Sequence, residues 1–510
     1  MAMKTDTLPD DPIALKKIIL ELQKQNDYLM EQFRLARQKR FGASSESSPD
    51  QDDLFNEAEQ VADVAEATDA AEAANIGEAP ETTATQVRNK PVRAPLPKDL
   101  PRETRIIDLP EAQKVCDCCQ GPLHEMGKES REQLEFIPAT LKVIETIRLK
   151  YSCRHCEKDN THTPIKIAPP PASPIPKGMA TASLLAQIII NKYQYALPLY
   201  RQETLFQNYG IELSRKTMAD WVIKCANLAE PVINRLKYHQ RLENVIHADE
   251  TPLNVIESDK QKSYMWVYCT GTDSPNVGAV AKNTVIYDFQ NSRGAICPQN
   301  YLGDYRGYLQ VDGYSAYEST HAKLVGCMAH ARRKFVEAQK AQPKGKTGKA
   351  DWAVNHLQKL YALESKIKHL NVDDKLMQRQ LHAAPLLAQF KDWLDQSLLA
   401  VTPKSALGTA LTYCANQWAK LIRYIEDGRL SIDNNRAERA IKPFVIGRKN
   451  WLFSNTMSGA KASAVLYSLI ETAKANGVEP LRYLHRLFDE LPNRREGDVI
   501  DDLMPWNFKG

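Results

Sequence analysis

Near the start of the chain, hydrophobic positions recur at intervals that alternate between four and three residues. Between residues 13 and 36 the repeat passes through Leu15, Ile19, Leu22, Asn26, Leu29, Phe33 and Ala36. This spacing predicts a helix that pairs through an apolar seam in a coiled coil, and an amide at a core position favours a dimer in one register. The alternative is a single amphipathic helix packed on its own domain.

A different pattern, short runs rich in β-branched and aromatic residues, begins after Glu243. It predicts five strands, at 245–249, 263–270, 284–290, 309–313 and 324–327. Asp249 ends the first of these strands and Asp312 lies at the end of the fourth. This is the order of an RNase H-like core: three strands, of which the first carries an acid, and then a fourth strand that carries another acid.

A third acid is expected on a helix. The stretch 431–442 predicts one, with Pro443 ending it. Asp433 stands where an N-cap is expected, whereas Glu438 lies a full turn inside the helix. Glu438 is therefore preferred to Asp433 as the third acid. The packed face of this helix is predicted to consist of Ala437, Ala440 and Ile441.

Three carboxylates suit the binding of hard divalent cations. Mg²⁺ or Mn²⁺ prefers oxygen ligands, and two ions about 3.5–4 Å apart can hold the attacking and leaving oxygens of an in-line phosphoryl displacement. Asp249 is expected to bridge the two ions, while Asp312 and Glu438 each complete one site. Water would be the first nucleophile, and the 3′-hydroxyl that it frees would be the second.

Two CxxC pairs precede this region. Cys116 and Cys119 form the first pair, and Cys153 and Cys156 follow after 33 intervening residues. Two such pairs complete a tetrahedral Cys₄ zinc site, and the β-rich sequence between them predicts a zinc ribbon at 102–168. Its role would be structural or nucleic-acid binding. Possible substitute ligands are His155 and His162.

The region 178–240 is predicted to be helical. A helix that ends at Gly210, followed by a second helix capped by Ser214, has the spacing of a helix-turn-helix. Arg215 and Lys216, in the first turn of that second helix, would then face a DNA groove or its phosphates. A plain helical hairpin with solvated basic residues is an equally good interpretation.

About 110 residues separate the fifth strand from the Glu438 helix, and their helical pattern predicts an all-α insertion. Cys327 and His330 open it, and because two ligands do not make a zinc site, they are expected to be structural or adjacent to the active site. Trp451 has two interpretations: it could stack on a DNA base, or it could pack in the core. The core interpretation is at least as good. Cations that follow the third acid are candidates for phosphate binding: Arg439, Lys442, Arg448 and Lys449.

The composition of the chain limits the class of protein to which it can belong. The chain has 510 residues, 43% hydrophobic and 25% charged, with a net charge of +4, as in a multidomain protein of mixed α+β or α/β class. Residues 46–87 contain twelve acids and no Lys or Arg, which predicts a flexible acidic linker. The chain contains no run of 18 apolar residues, so we expect no membrane span and a cytoplasmic, bacterial protein that associates with the nucleoid when bound to DNA.

These patterns divide the chain into eight segments. They are a coiled coil at 1–44, an acidic then Pro-rich linker at 45–101, the zinc ribbon at 102–168, the helical region at 178–240, the first part of the core at 241–335, the all-helical insertion at 336–428, the second part of the core with the Glu438 helix at 429–470, and a C-terminal helical tail at 471–510.

The chain resembles transposases of the insertion-sequence-66 family, TnpC type, over nearly its whole length. The stretches that carry the resemblance include RQKRFGASSE, HADETPLNV, LQVDGYSAY, GCMAHARRKF and DNNRAERAIKPFVIGRKNWLFSN. The resemblance implies Asp249, Asp312 and Glu438 as a DDE triad, and it places Cys327 and His330 in a CxxH motif. It also implies DNA as partner, namely the terminal inverted repeats of the element and the target, together with accessory proteins of the same element.

The leading hypothesis is therefore a DNA transposase that assembles as a dimer or higher oligomer through residues 13–36. An RNase H-like nuclease or resolvase acting on structured DNA is the alternative among enzymes. A DNA-binding regulator that uses the zinc ribbon without catalysis is the alternative outside them.

Overall fold

The structure is a computed structural model, and it describes residues 11–41, 104, 140–152, 165–260, 262–272, 282–342, 348–495 and 497–508. Two compact units are present. One comprises residues 1–75 with 168–510, and the other comprises residues 76–167. The acidic linker, at 46–87, lies outside the described residues.

The larger unit is mainly helical. Its helices are α1 (Pro12–Phe41), α2 (Ala182–Tyr193), α3 (Leu199–Asn208), α4 (Arg215–Leu228), α5 (Glu230–Arg241), α6 (Ile296–Leu302), α7 (Met328–Lys340), α8 (Lys349–Ile367), α9 (Val372–Gln378), α10 (Ala384–Ala400), α11 (Ala406–Leu421), α12 (Asn435–Trp451), α13 (Met457–Ala475) and α14 (Pro480–Glu490). Over the described residues, no helix is both long and apolar enough to cross a membrane.

The strands form two sheets. The smaller unit contains β1 (Lys150–Tyr151) and β2 (Lys166–Ile167), which pair antiparallel. The larger unit contains β3 (Val245–Leu253), β4 (Ser263–Thr270), β5 (Thr284–Gln290), β6 (Tyr308–Gln310) and β7 (Lys323–Val325), in the spatial order β5-β4-β3-β6-β7. Strands β3, β4 and β5 are antiparallel neighbours, while β6 and β7 run parallel to β3. The five strands expected from the sequence are therefore present in their predicted order. However, β3 continues to Leu253, so Asp249 lies within this strand rather than at its end, and β6 ends at Gln310, two residues before Asp312.

Helix α13 covers the outer edge of this sheet. The Thr472 hydroxyl accepts a hydrogen bond from the Val285 N–H at 3.0 Å and donates to the Val285 carbonyl at 2.9 Å. The Ser468 hydroxyl accepts from the Tyr287 N–H at 2.8 Å. An edge strand with free backbone groups invites pairing with other chains, and here small polar side chains satisfy those groups instead.

The C-terminal part of the chain belongs to the main core. A boundary at residue 470 is predicted from the sequence, but α13 runs from 457 to 475 across that position. Buried residues of α13 and α14 join one hydrophobic cluster with the sheet and with α2 to α5. Buried residues of the region 471–510 are therefore part of this core.

The described part of the region predicted as an insertion, 336–428, is mainly helical, and it has a hydrophobic core of its own. Its buried residues run from Val325 to Ile432, so α7, predicted to belong largely to the sheet domain, packs with the insertion. The guanidinium of Arg379 is 2% exposed and pairs with Glu364 at 2.7 Å. It also donates to the carbonyls of Tyr424, Asp427 and Leu430, which ties the end of the insertion to the segment that leads into α12.

Helix α12 differs from the predicted helix at both ends. Its N-cap is Asn434, not Asp433, although the Asp433 carboxylate does accept a hydrogen bond from the Asn435 N–H at 3.2 Å. Pro443 does not end the helix, which continues to Trp451. A proline removes one helical hydrogen bond, but the burial of neighbouring side chains such as Phe444 offsets that loss.

Candidate active site

The register of the sheet brings the first two predicted acids together. Strands β3 and β6 are parallel, with His247 opposite Gln310. Two residues further along the two segments come Asp249 and Asp312, so both acids stand at the same level of the sheet. Their charges interact, since the pKa of Asp249 is raised in part by Asp312. This proximity follows from strand pairing between segments about 60 residues apart in sequence.

Helix α12 brings the third predicted acid to the same place. The Asn434 side chain is fully buried, and its amide donates to the Ala248 carbonyl at 2.8 Å. Its oxygen lies 3.3 Å from Nδ1 of His247. These bonds attach the start of α12 to β3 beside Asp249. Glu438, four residues on, is 3% exposed and faces the two aspartates closely enough to interact with both.

The electrostatics of this carboxylate cluster are unfavourable for full ionisation. Burial raises the pKa of Asp249 well above its usual range, and the charges of Glu250, Asp312 and Glu438 raise it further. Burial also raises the pKa of Glu438 to about 7, although Arg333 opposes the shift. Buried like charges behave in this way when no cation compensates for them.

Cys327 and His330 lie directly against the third acid. Cys327 precedes α7 and is fully buried, and its Sγ accepts a hydrogen bond from the Asn434 N–H at 3.2 Å. Nδ1 of His330 lies 3.5 Å from Oε1 of Glu438. Burial, with Arg333 nearby, lowers the pKa of His330 to about 4, so at neutral pH this contact joins a neutral imidazole to a carboxyl rather than forming an ion pair. Both side chains therefore lie beside the acid that the sequence predicts as the third of the cluster.

The sequence did not indicate one further buried acid, Glu250. Its side chain is 1% exposed, and Oε1 accepts hydrogen bonds from Arg293 at 2.6 and 2.9 Å. Oε2 accepts from the Tyr317 hydroxyl at 2.7 Å. Burial and the charge of Asp312 raise the pKa of Glu250, while Tyr317 and Arg293 oppose the rise. The only sequence signal was a second acid directly after Asp249.

Arg293 also supports the loop that carries the second aspartate. Its guanidinium lies 3.9 Å from the ring centroid of Tyr314, whose hydroxyl donates to the Arg293 carbonyl at 2.8 Å. The Tyr314 N–H in turn donates to Oδ1 of Asp312 at 2.9 Å. Arg293 therefore connects Glu250, within β3, to Asp312, two residues beyond β6, through a continuous set of contacts.

The predicted helix-turn-helix segment contains the expected pair of helices. Helix α3 ends at Asn208, two residues before Gly210, which has a φ of 75°. Helix α4 begins at Arg215, and the Ser214 hydroxyl accepts a hydrogen bond from the Thr217 N–H at 3.2 Å. Arg215 and Lys216 are both exposed at this helix start, where phosphates can reach them.

The cations predicted along α12 differ in their exposure. Arg439 and Lys449 are exposed and Lys442 is partly buried. Arg448 donates to the Thr251 hydroxyl at 3.1 Å and to the Pro252 carbonyl, so it fastens the helix to β3. Trp451 packs edge-on against Phe444, with ring centroids 5.4 Å apart, which agrees with its interpretation as a core residue.

The four cysteines of the predicted zinc ribbon, Cys116, Cys119, Cys153 and Cys156, lie outside the described residues. The described part of that unit contains the paired strands β1 and β2, which stand on either side of the second CxxC pair in the sequence.

Four family models match the chain. A model of the transposase IS66 family covers residues 177–462, and a zinc-finger binding domain of transposase IS66 covers 113–157. A model described as transposase C of IS166 homeodomain covers 28–105, and an IS66 C-terminal element covers 468–506. The zinc-finger match supports a structural zinc ion.

Similar proteins occur in Sinorhizobium fredii (strain NBRC 101917 / NGR234). Uncharacterized protein y4jD is 33% identical over 529 residues, which cover 100% of this chain and 98% of the relative. Uncharacterized protein y4qI is 33% identical, with 82% of this chain and 79% of the relative covered. Together, the family matches and the buried acids of the sheet assign the chain: it belongs to the IS66 family of transposases.

Proposed function

We propose that this protein is a DNA transposase whose catalytic residues are Asp249, Asp312 and Glu438. The observation that carries the proposal is the convergence of three acids from β3, the end of β6 and α12, which are far apart in the sequence. The strand order, with three antiparallel strands followed by two parallel ones, agrees with an RNase H-like core.

The residues of this cluster fit divalent cations. The donor set consists of carboxylate oxygens, which hard cations such as Mg²⁺ and Mn²⁺ prefer. The pKa of Asp249 is raised, and Oε1 of Glu438 has no hydrogen-bond partner among the described residues. Both features are expected of a cation-binding site when no cation is bound. Asp249, which interacts with both other acids, would be shared between two ions, with Asp312 and Glu438 each completing one of them. When bound, such ions stabilise the attacking and leaving oxygens of a phosphoryl displacement.

Other residues of the chain keep these acids in position. Asn434 fixes the start of α12 against β3. Arg293 holds Glu250 and the ring of Tyr314, which keeps the β3 acids and the Asp312 loop at a constant separation. In-line displacement at phosphorus depends on such positioning, because misplacement of about 1 Å can cost roughly a hundredfold in rate.

The proposed reaction has two displacements at the same centre. In the first, water attacks a phosphodiester at an element end, and the bond to the 3′ oxygen breaks to leave a 3′-hydroxyl. In the second, that hydroxyl attacks a phosphodiester of the target DNA; a new bond forms between its oxygen and phosphorus, and the bond from phosphorus to the target's own 3′ oxygen breaks, which leaves a 3′-hydroxyl on the target strand. Both displacements place negative charge on the phosphate oxygens, so cations held by the same three acids would serve each step.

DNA binding is assigned to positively charged parts of the chain. Arg215 and Lys216 at the start of α4 would contact phosphates, and the zinc ribbon would add a second contact. The seam of α1 would join two copies of the chain. Its apolar residues are exposed in the single chain, by 55% at Leu22 and 64% at Leu29, whereas Glu31 and Arg34 bond to the insertion at Ala406 and Ala341.

Cleavage of defined DNA tests the proposal. The full-length protein with Mg²⁺ should nick a duplex that carries the terminal inverted repeat of its element, and it should leave a scrambled duplex intact. Asp249→Asn and Glu438→Gln should bind the same duplex and not cut it. Equal cleavage of both duplexes would instead indicate a general nuclease, and sequence-specific binding without cleavage would indicate a regulator.

A further inference from the structure

Two side chains next to the proposed catalytic acids have no part in the reaction described above. Cys327 and His330 each present a potential ligand atom that lies within 4.8 Å of the others in a cluster with Glu438. From the sequence, two ligands alone did not make a metal site. The fold supplies the third ligand, because α7 and α12 meet at this point.

Burial, with the charges of Glu438 and Asp433, raises the pKa of the Cys327 thiol well above its usual range, and two backbone hydrogen bonds to the sulfur oppose that rise. The sulfur accepts a hydrogen bond from the Asn434 N–H at 3.2 Å and another from the backbone of His330. Hydrogen bonds donated to a charged group favour the charged form. Two backbone donors aimed at one sulfur are therefore poorly used by a neutral thiol and well used by a metal-bound thiolate.

The other two ligand atoms face each other without a hydrogen-bond partner. Nδ1 of His330 and Oε1 of Glu438 are both buried, 3.5 Å apart, and neither has a partner in the described part of the chain. Glu438 is 3% exposed, so bulk water has little access to hydrogen-bond its carboxylate. Unpartnered buried polar atoms are rare, and a cation between these two would satisfy both.

We propose that Cys327, His330 and Glu438 form a binding site for a zinc-class divalent cation, separate in its chemistry from the proposed oxygen-only site for Mg²⁺. Sulfur, imidazole nitrogen and one carboxylate oxygen are the ligand types that zinc takes, with a fourth position open to water. Tetrahedral zinc places its ligand atoms about 3.3–3.6 Å apart. Since the three ligand atoms all lie within 4.8 Å of one another, no separation has to shorten by more than about 1.5 Å.

The surrounding charges are compatible with this cation. Arg333 places positive charge near Glu438, but Asp433 and Asp312 are also close enough to interact with that carboxyl.

Occupancy of the site has a consequence for the reaction, and this part rests on the proposed function. A zinc-class ion that holds Oε1 of Glu438 withdraws that oxygen from the catalytic cluster. Zinc should therefore inhibit Mg²⁺-dependent cleavage, and the inhibition should require the sulfur of Cys327.

Cobalt(II) substitution tests the site without reference to activity. Full-length wild-type protein, freed of metal and titrated with Co²⁺, should bind one more equivalent than Cys327→Ser. The wild type should also show thiolate-to-cobalt charge-transfer absorbance in excess of that from the predicted zinc ribbon, and Cys327→Ser should lack this excess. Serine retains an oxygen for the two backbone donors, so the fold is preserved. Cys297→Ser is the matched control, because Cys297 is also buried, lies outside the cluster and bonds to the Ser292 carbonyl. It should keep the full equivalents.

A second variant, at another proposed ligand, tests the site independently in case Cys327→Ser does not fold. His330→Asn should weaken cobalt binding at this site by at least about tenfold, since even the loss of an outer partner typically costs 10–100-fold in metal affinity. Equal cobalt equivalents and superimposable spectra for wild type, Cys327→Ser and His330→Asn would overturn the proposed site.

The effect on catalysis is measured separately. At a Zn²⁺ concentration that slows nicking by the wild type, Cys327→Ser should cut at its zinc-free rate while Cys297→Ser is slowed like the wild type. Equal inhibition of all three proteins would overturn the regulatory consequence. If no protein nicks DNA, the proposed function fails, and the cobalt spectra still decide whether the metal site exists.

Discussion

Replacing the third acid by its neutral isostere should stabilise the metal-free protein. Burial raises the pKa of Glu438 from 4.5 to about 7. A difference of about 2.5 in pKa corresponds to about 3 kcal/mol, at about 1.4 kcal/mol for each pKa unit. Because the folded state holds the proton more tightly, the stability present below pH 4.5 is lost as the pH rises through 7.

Glu438→Gln does not titrate and keeps the stability that the wild type loses. In chelator, its free energy of unfolding should exceed that of the wild type by about 3 kcal/mol at pH 8 and by about 1.5 kcal/mol at pH 5.5. Urea denaturation followed by tryptophan fluorescence measures both differences. Glu337→Gln, an exposed acid on α7, is the control and should change the value by less than about 0.5 kcal/mol.

Two results would refute this reasoning. One is a Gln variant no more stable than the wild type at pH 8, and the other is a stability difference that does not change between the two pH values. Saturating Mg²⁺ should reduce the difference in free energy of unfolding between Glu438→Gln and the wild type at pH 8. The cation stabilises the ionised Glu438 of the wild type, whereas the variant lacks this carboxylate ligand.

Other parts of the account make separate predictions. Asn434→Ala should lower the free energy of unfolding by about 1–3 kcal/mol by leaving the Ala248 carbonyl unpaired, and it should slow nicking; an unchanged urea midpoint would contradict this. Arg379→Met should cost about 3–5 kcal/mol because Glu364 loses its cation, and a loss below about 1 kcal/mol would count against a structural role. Combined Arg215→Ala and Lys216→Ala should make the slope of log K against log salt shallower by up to about 0.9 for each lost phosphate contact, and an unchanged slope would remove them from the DNA interface. Leu22→Asp should convert the assembly to monomers in sedimentation experiments, and an unaltered mass would exclude α1 as the dimer seam.

The sheet could be predicted well from the sequence, for a physical reason. Strands β4 and β5 have the expected bounds, 263–270 and 284–290, because β-branched and aromatic runs there are bounded by polar residues and Gly. Asp249 and Asp312 could be proposed as a pair because strand order constrains where strand ends meet. Glu438 was preferred to Asp433 as the third acid because Asp433 was expected to cap the helix. The residue that occupies the N-cap position is Asn434.

The remainder depended on tertiary contacts that local patterns do not encode. Pro443 normally ends a helix, and only the burial of its neighbours against the sheet keeps α12 intact beyond it. The partners of Glu250 come from a loop more than forty residues away. The contact of Cys327 and His330 with Glu438 spans the whole insertion, so the sequence could suggest a place beside the active site for this pair but not its contact with Glu438.

The central claim, that Asp249, Asp312 and Glu438 hold divalent cations at a phosphodiester, can be examined directly by crystallography. Crystals of the full-length protein with a terminal-repeat oligonucleotide and Mn²⁺ should give anomalous density within about 2.0–2.3 Å of carboxylate oxygens of Asp249 and Asp312, with a second peak at Glu438. Asp249→Asn crystals should lose the density shared by Asp249. Ordered DNA in this cleft with no manganese peak at the three acids would contradict the account.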